Sequence, residues 1–328
     1  MELEQNVLRQ LKQLKRLKQC INSKMSKDFR LGINEPEKSF GVLGIRELKT
    51  NGNNSTIYEL KLQQNYRHLN QSFLLKMIYW NKMRTINYYV KEINYLKLIS
   101  SSIHVCSFIY SEKKCGEDHK YICIIMKKMS SDLTTYIIDQ TRSTGISIPE
   151  LFIQLMPQFI DLFNQLRDND TVHNDLKPDN ILVDETGKLH LSDFGLTQTL
   201  NIQSKEKTRV GNIGTHAFLH PYDFKHSIYG GGTDMYMLGM SILYTITNKY
   251  IDQKKYNTIY TNRFNHLYKD TIKYLYNNHN ILFQCLELLL DIVFDPLSGN
   301  ISNSCSKDMH HHYNTNQRIL DIMSKQTI

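Results

Sequence analysis

One stretch constrains this chain more than any other. The segment His173-Asn174-Asp175-Leu176-Lys177-Pro178-Asp179-Asn180 runs directly into the apolar triplet Ile181-Leu182-Val183. The alternating run Lys188-Leu189-His190-Leu191 follows and delivers Asp193-Phe194-Gly195, thirteen positions beyond Asn180. Short apolar runs bounded by turn residues read as strands. A strand pair here brings two acidic sites, Asp175 and Asp193, together. Either segment alone leaves room for an ordinary polar turn; the two together leave little.

The rest of the chain changes character near Ser130. Before it, Val42–Leu48, Ile57–Leu62 and Phe73–Ile78 are strand-like runs separated by Asn- and Gln-rich turns. Val90, Ile93, Leu96 and Ile99 give Asn87–Ile99 helical spacing, and Val105–Tyr110 and Tyr121–Met126 read as further strands. After Ser130 the patterns are long and helical, chiefly Glu150–Leu166 and Asp234–Ile246. Strands first and helices second imply an α+β fold in two lobes. Residues 1 to 28 read as an amphipathic helix, with Leu3, Val7, Leu11, Leu14, Leu17 and Ile21 on one face and Lys12, Lys15, Arg16 and Lys18 around it. It suits an extension docked on the main domain, a membrane-surface helix, or a basic nuclear-import or nucleic-acid patch. Gly32–Pro36 reads as a linker. The expected divisions are therefore 1–36 (basic extension and linker), 37–127 (strand-rich lobe) and 128–328 (helical lobe and tail).

Composition excludes several classes. With 41% hydrophobic and 22% charged residues in 328, the chain can bury a substantial core. No apolar run reaches the roughly 18 residues of a membrane-spanning helix. The longest, Met237–Ile246 and Ile281–Phe294, are short or interrupted by Gln284, Glu287 and Asp291, and read as buried or amphipathic helices. No secretory signal is visible at the N-terminus. The net charge of +8 suits phosphate-bearing ligands, acidic proteins or nucleic acid without choosing among them. Six scattered cysteines without CxxC spacing point to reduced intracellular thiols. His310–His312, after Cys305, reads as a solvated loop or a metal site.

The paired motifs resemble the catalytic loop and the DFG turn of eukaryotic-type protein kinases, of the serine/threonine pattern. The resemblance covers roughly residues 40 to 300. It implies a small antiparallel-sheet N-lobe with one key helix, and a larger helical C-lobe. It also implies transfer of the γ-phosphate of ATP, with Mg2+ or Mn2+, to serine and threonine hydroxyls of protein substrates; nucleic acid is not required. Such chemistry needs positioning and charge compensation. By resemblance Asp175 orients the acceptor hydroxyl and takes its proton, and Lys177 offsets charge on the phosphoryl group. Asn180 and Asp193 supply hard oxygens to the metal. Lys76, in the strand Phe73–Ile78, would hold the nucleotide phosphates, and Glu92 on the helix would hold Lys76. Gly52 is the one glycine kept in the phosphate loop, followed by Ile57. Met126, Lys127 and Met129 resemble the hinge that receives adenine, and Leu182 the floor beneath it. Asp132 reads either as a ribose contact or as the N-cap of the next helix. Gly214–Pro221 resembles the end of an activation segment. Asp234 opens a helix whose aspartate braces the catalytic loop in this family.

Several positions depart from the family pattern. The phosphate loop has lost two glycines, and Leu74 replaces a usual alanine above the adenine ring. His220-Pro221-Tyr222 lacks a glutamate and Gly299 stands where its arginine partner would be, so both partners of one ion pair are gone. Asn174 replaces the arginine that holds a phosphorylated activation segment. Basal activity without that phosphate is therefore expected, although Thr197, Thr199, Ser204, Thr208 and Thr215 are available hydroxyls and Lys205, Lys207 and Arg209 available cations. A pseudokinase scaffold and a small-molecule kinase are the competing readings. The expected location is intracellular, cytoplasmic or nuclear, in a host cell if the AT-rich coding style is viral.

Overall fold

The computed structural model describes residues 42–48, 55–62, 73–79, 92–96, 108–115, 120–199, 208–209, 214–220, 228–249, 260–290, 292–298, 300–303 and 315–324. The N-terminal helix, Gly52, Ser204, Lys205, Lys207, Pro221, Gly299 and His310–His312 lie outside them. Contacts divide the chain into two compact units, changing over between Met129 and Ser130, where the sequence reading drew its line after Lys127.

The first unit is built on one antiparallel sheet of order β1-β2-β3-β5-β4. Its strands are β1 (Val42–Leu48), β2 (Ser55–Leu62), β3 (Phe73–Tyr79), β4 (Phe108–Cys115) and β5 (Lys120–Lys127). The edge strand β4 continues past its apolar run through Ser111-Glu112-Lys113-Lys114. Backbone pairing with β5 down to Cys115↔Lys120 carries it on where side-chain pattern does not. Register aligns Ile57, Lys76 and Ile124 across β2, β3 and β5, so these three share one face. The neighbouring row on that face is Glu59, Leu74 and Met126. Leu75, one position away, points to the opposite face and is buried. Residues 92–96 form the helical turn α1, which buries Glu92, Ile93 and Leu96 and exposes Asn94.

The second unit is mainly helical. It begins with β6 (Ser131–Asp132), followed by α2 (Leu133–Thr144), α3 (Ile148–Asp168) and β7 (Thr171–Val172). Ser147 and Glu150 form a reciprocal capping box at the start of α3, with Pro149 in its first turn. Leu151, Phe152, Leu155, Phe159, Ile160 and Phe163 give α3 the buried stripe expected of a helix packed on several sides. The hairpin β8 (Ile181–Val183) and β9 (Leu189–Leu191) joins β6 in a three-stranded sheet of order β6-β8-β9. Its register lines up Asp132, Leu182 and His190. Then follow β10 (Gln198–Thr199), β11 (Thr208–Arg209), β12 (Ile228–Tyr229) and α4 (Gly231–Thr247).

Helices α5 (Tyr260–Asn278) and α6 (Asn280–Leu290), the hairpin β13 (Ile292–Phe294) and β14 (Ile301–Asn303), and α7 (Thr315–Ser324) complete the unit. The run Ile281–Phe294, expected to be helical throughout, leaves the helix at Leu290 and ends as a strand. Asp295 then shapes the turn from β13 to β14: its carboxylate accepts from the Leu297 and Ser298 amides and the Ser298 hydroxyl. Helix α4 is buried from Thr233 through Leu243. Gly239 lets α6 approach it, for a Cβ there would lie 2.7 Å from the Leu290 side chain. Among the described residues no helix is long and apolar enough to cross a membrane.

Candidate active site

The site in the second unit grows from the first turn of α4. Asp234 is fully buried and spends both oxygens on main chain: the His173 amide donates to Oδ2 at 2.7 Å and the Asn174 amide to Oδ1 at 2.8 Å. Burial pushes this carboxyl above the ordinary carboxylate range, with His173 and the two amides pulling the other way. A strand-to-loop transition that would otherwise leave two buried amides unsatisfied is thereby pinned to the core helix. The brace expected of Asp234 is present in this geometry.

His173 turns the loop. Its Nδ1 accepts the Asp175 amide at 3.3 Å, which assigns the proton to Nε2 and makes Nε2 the donor to the Ser192 carbonyl at 2.9 Å. The ring also meets Phe194 edge-on, 4.9 Å between centroids. The loop and the Asp193 turn are fastened a second time through Asn180, whose carbonyl accepts the Ser192 amide at 3.0 Å and the Ser192 hydroxyl at 3.1 Å. These ties put Asn180 beside the residue that precedes Asp193, as the strand pair requires. Asp193 itself takes φ 61°, a left-handed conformation, and opens the 3-10 turn Phe194–Leu196.

Asp175 sits at the centre of a charge-assisted cluster. Oδ2 accepts from the Lys177 ammonium at 2.9 Å and from Asn180 Nδ2 at 2.9 Å. Oδ1 accepts from the Thr215 amide at 2.9 Å and the Thr215 hydroxyl at 2.7 Å. Lys177 also donates to Thr215 Oγ1 at 2.9 Å, closing a triangle. A carboxylate offers about four lone-pair directions, and here all are engaged. Thr215 is the site residue that sequence reasoning did not single out. It stands among the segment's hydroxyls, of which the more exposed are the expected phosphate acceptors, and its own hydroxyl is committed to Asp175 and Lys177. Thr197 leaves that set as well, being 1% exposed. Gly214-Thr215, adjacent in the segment's closing motif, was the available signal.

The end of that segment packs on α4 through rings: Phe218 lies edge-on to Tyr244 at 5.8 Å and His220 to Tyr236 at 4.8 Å. Asp132 caps α2, accepting the Thr135 amide at 2.8 Å, so the N-cap reading describes its contact. Leu182 is half-buried between Asp132 and His190 in the sheet register.

In the first unit Lys76 donates to Glu92 Oε1 at 2.8 Å; Glu92 is 1% exposed and the lysine side chain 13%. A buried carboxylate on α1 and a lysine between Ile57 and Ile124 on β3 therefore meet as an ion pair. Ile57, Met126 and Lys127 are half-buried and Met129 is buried in the same unit. Lys128, beside these, pairs with Glu59 at 2.6 Å.

A model of the protein kinase domain family matches residues 50–313. This chain belongs to the protein kinase family. Among its relatives, the protein kinase is 25% identical over 157 residues to the serine/threonine-protein kinase shk2 of Schizosaccharomyces pombe, covering 48% of this chain and 26% of that one. It is 32% identical over 130 residues to a calcium/calmodulin-dependent protein kinase of Metarhizium anisopliae, covering 39% and 32%. It is also 32% identical over 118 residues to cyclin-dependent kinase 4 of Mus musculus, covering 36% and 37%. The kinase thus spans between 26% and 37% of the length of these relatives.

Proposed function

We propose that this protein kinase transfers the γ-phosphate of ATP to serine and threonine hydroxyls of protein substrates. The observation that carries the reading is the Asp175 cluster: a carboxylate held at both oxygens by Asn180, Thr215 and Lys177. A fixed carboxylate can orient a hydroxyl and receive its proton. Because its lone pairs are engaged, an acceptor hydroxyl must displace one donor. Lys177 is the natural one to move, since it keeps Thr215 as a second anchor and is more exposed than Asn180, the other donor to Oδ2. On leaving Asp175 its ammonium meets charge building on the phosphoryl oxygens. A lysine in this place supports serine/threonine over tyrosine acceptors.

Asn180 and Asp193 fit a divalent ion such as Mg2+ as a donor set, one amide oxygen and one carboxylate. Asn180 spends Nδ2 on the Asp175 carbonyl and carboxylate, at 2.8 and 2.9 Å, which leaves Oδ1 as its ligating atom. Such an ion, when bound, supplies positive charge to the nucleotide phosphates. In the first unit Lys76, held by Glu92, is the residue to hold nucleotide phosphates. Met126, Lys127 and Met129 of that unit are those to receive adenine, with Ile57 beside Lys76.

The test is direct. Purified chain with ATP, Mg2+ and a generic basic protein substrate should yield phosphoserine and phosphothreonine on acid hydrolysis. Asp175→Asn and Asp193→Asn should each lower the rate by roughly 10²-fold or more. Nucleotide binding without turnover in the wild type would convert the reading to that of a scaffold. Phosphotyrosine alone would overturn the acceptor class.

A further inference from the structure

Asn174 is held by two hydrogen bonds and one close backbone approach. Its amide donates to Asp234 at 2.8 Å. Its side-chain Nδ2 donates to the Leu196 carbonyl at 3.1 Å, across 22 positions of sequence. Its carbonyl oxygen lies so near Gly214 that a Cβ built there would stand 2.5 Å away. Only Oδ1 is buried without a hydrogen-bond partner among the described residues. The residue is wholly buried and has φ 66°, a conformation that asparagine tolerates better than longer side chains.

These contacts lead to both halves of the chemistry. Leu196 closes the 3-10 turn that Asp193 opens, so a bond to its carbonyl fixes the far end of that turn. Gly214 precedes Thr215, whose amide and hydroxyl hold Asp175. The segment between them is fastened elsewhere by main chain: Gln198–Thr199 pairs with Thr171–Val172, and Thr208–Arg209 with Ile228–Tyr229.

We propose that Asn174 is a positioning residue for phosphoryl transfer, setting Asp193 through Leu196 and Asp175 through Gly214-Thr215 by neutral contacts. The proposal rests on the roles assigned above to Asp175 and Asp193. It places the fixing of Leu196 and Gly214, on either side of the segment, inside the loop that carries Asp175.

Two variants separate side chain from backbone. Asn174→Gly keeps the left-handed conformation and removes the donor. Asn174→Asp keeps the shape and sets a carboxylate against the Leu196 carbonyl. Rates are measured against ATP and a serine peptide, with a thermal melt and amide exchange of Thr197, Gln198 and Thr215. Both variants should lower kcat about 10-fold or more, with KM values within about threefold and a fold that melts normally. Exchange of the three amides should quicken by about tenfold. A kcat within about twofold of wild type in both variants, or unaltered exchange, overturns the proposal. If wild-type protein transfers no phosphate, the assigned chemistry fails, and the exchange measurement alone then decides whether Asn174 holds the segment.

Discussion

Replacing Thr215 by valine isolates one hydroxyl at the centre of the site. Valine keeps the branched shape, and the residue-215 amide remains on Asp175 Oδ1 at its present 2.9 Å. What disappears is Oγ1, which donates to Asp175 at 2.7 Å and accepts from Lys177 at 2.9 Å. Asp175 thus loses one of its four donors, and Lys177 one of its two oxygen partners. Hydrogen bonds to charged groups contribute about 1.5–3 kcal/mol each. If the loss in the transition state amounts to one such bond, kcat falls by about 10- to 150-fold. Initial rates against ATP and peptide, beside a thermal melt, measure this, and Thr215→Ser should recover most of the loss because it returns the hydroxyl. A valine variant within about threefold of wild type, or a serine variant as slow as valine, would refute the reasoning.

Glu92→Gln leaves Lys76 without its counter-charge in a largely buried site and should lower both the thermal midpoint and the transfer rate, the latter by about tenfold or more. Gly239→Ala forces a methyl against Leu290 and should destabilise the fold by about 1–3 kcal/mol in a denaturant titration. Asp184 gives a pH test. Partial burial opposes its ionisation, but hydrogen bonds from Thr186, His190 and Lys188 hold its carboxyl well below the ordinary 3.8. Its contribution is therefore complete above that pH and fades as pH falls below it. The stability gap between wild type and Asp184→Ala should hold from neutral pH to about 4 and shrink below, and a constant gap in acid would refute the linkage.

What the sequence made legible was local. Alternation placed β1 and β3, and helical spacing placed α3 and α4, because each pattern repeats within a few residues. The Asp175-to-Asp193 hairpin was readable for the same reason. Lys76 and Glu92 were paired from the order of motifs, and the chain brings those two carriers to 2.8 Å. Thr215 escaped because its meaning lies in a contact with Asp175 that is 40 positions away, and a lone threonine carries no periodic signal. Asn174 was read only for what it lacks as a guanidinium. Its bond to Leu196 and its closeness to Gly214 come from tertiary folding. The late strand β13 escaped for another reason: its apolar residues continue the run of α6, and what makes them a strand is pairing with Ile301–Asn303, which lie beyond that run.

The grip of Asp234 on the catalytic loop has a consequence for drift. It takes hold of two amides, and every amino acid but one carries an amide to offer. The anchor therefore cannot tell which side chains occupy positions 173 and 174. A lineage can exchange the residue at 174 without loosening the loop from α4, and the new side chain is then free to acquire its own work, as Asn174 has done at Leu196. Proline is the exclusion for the anchor itself, since at either position it removes the donated amide. At 174 the left-handed backbone, φ 66°, narrows the choice further.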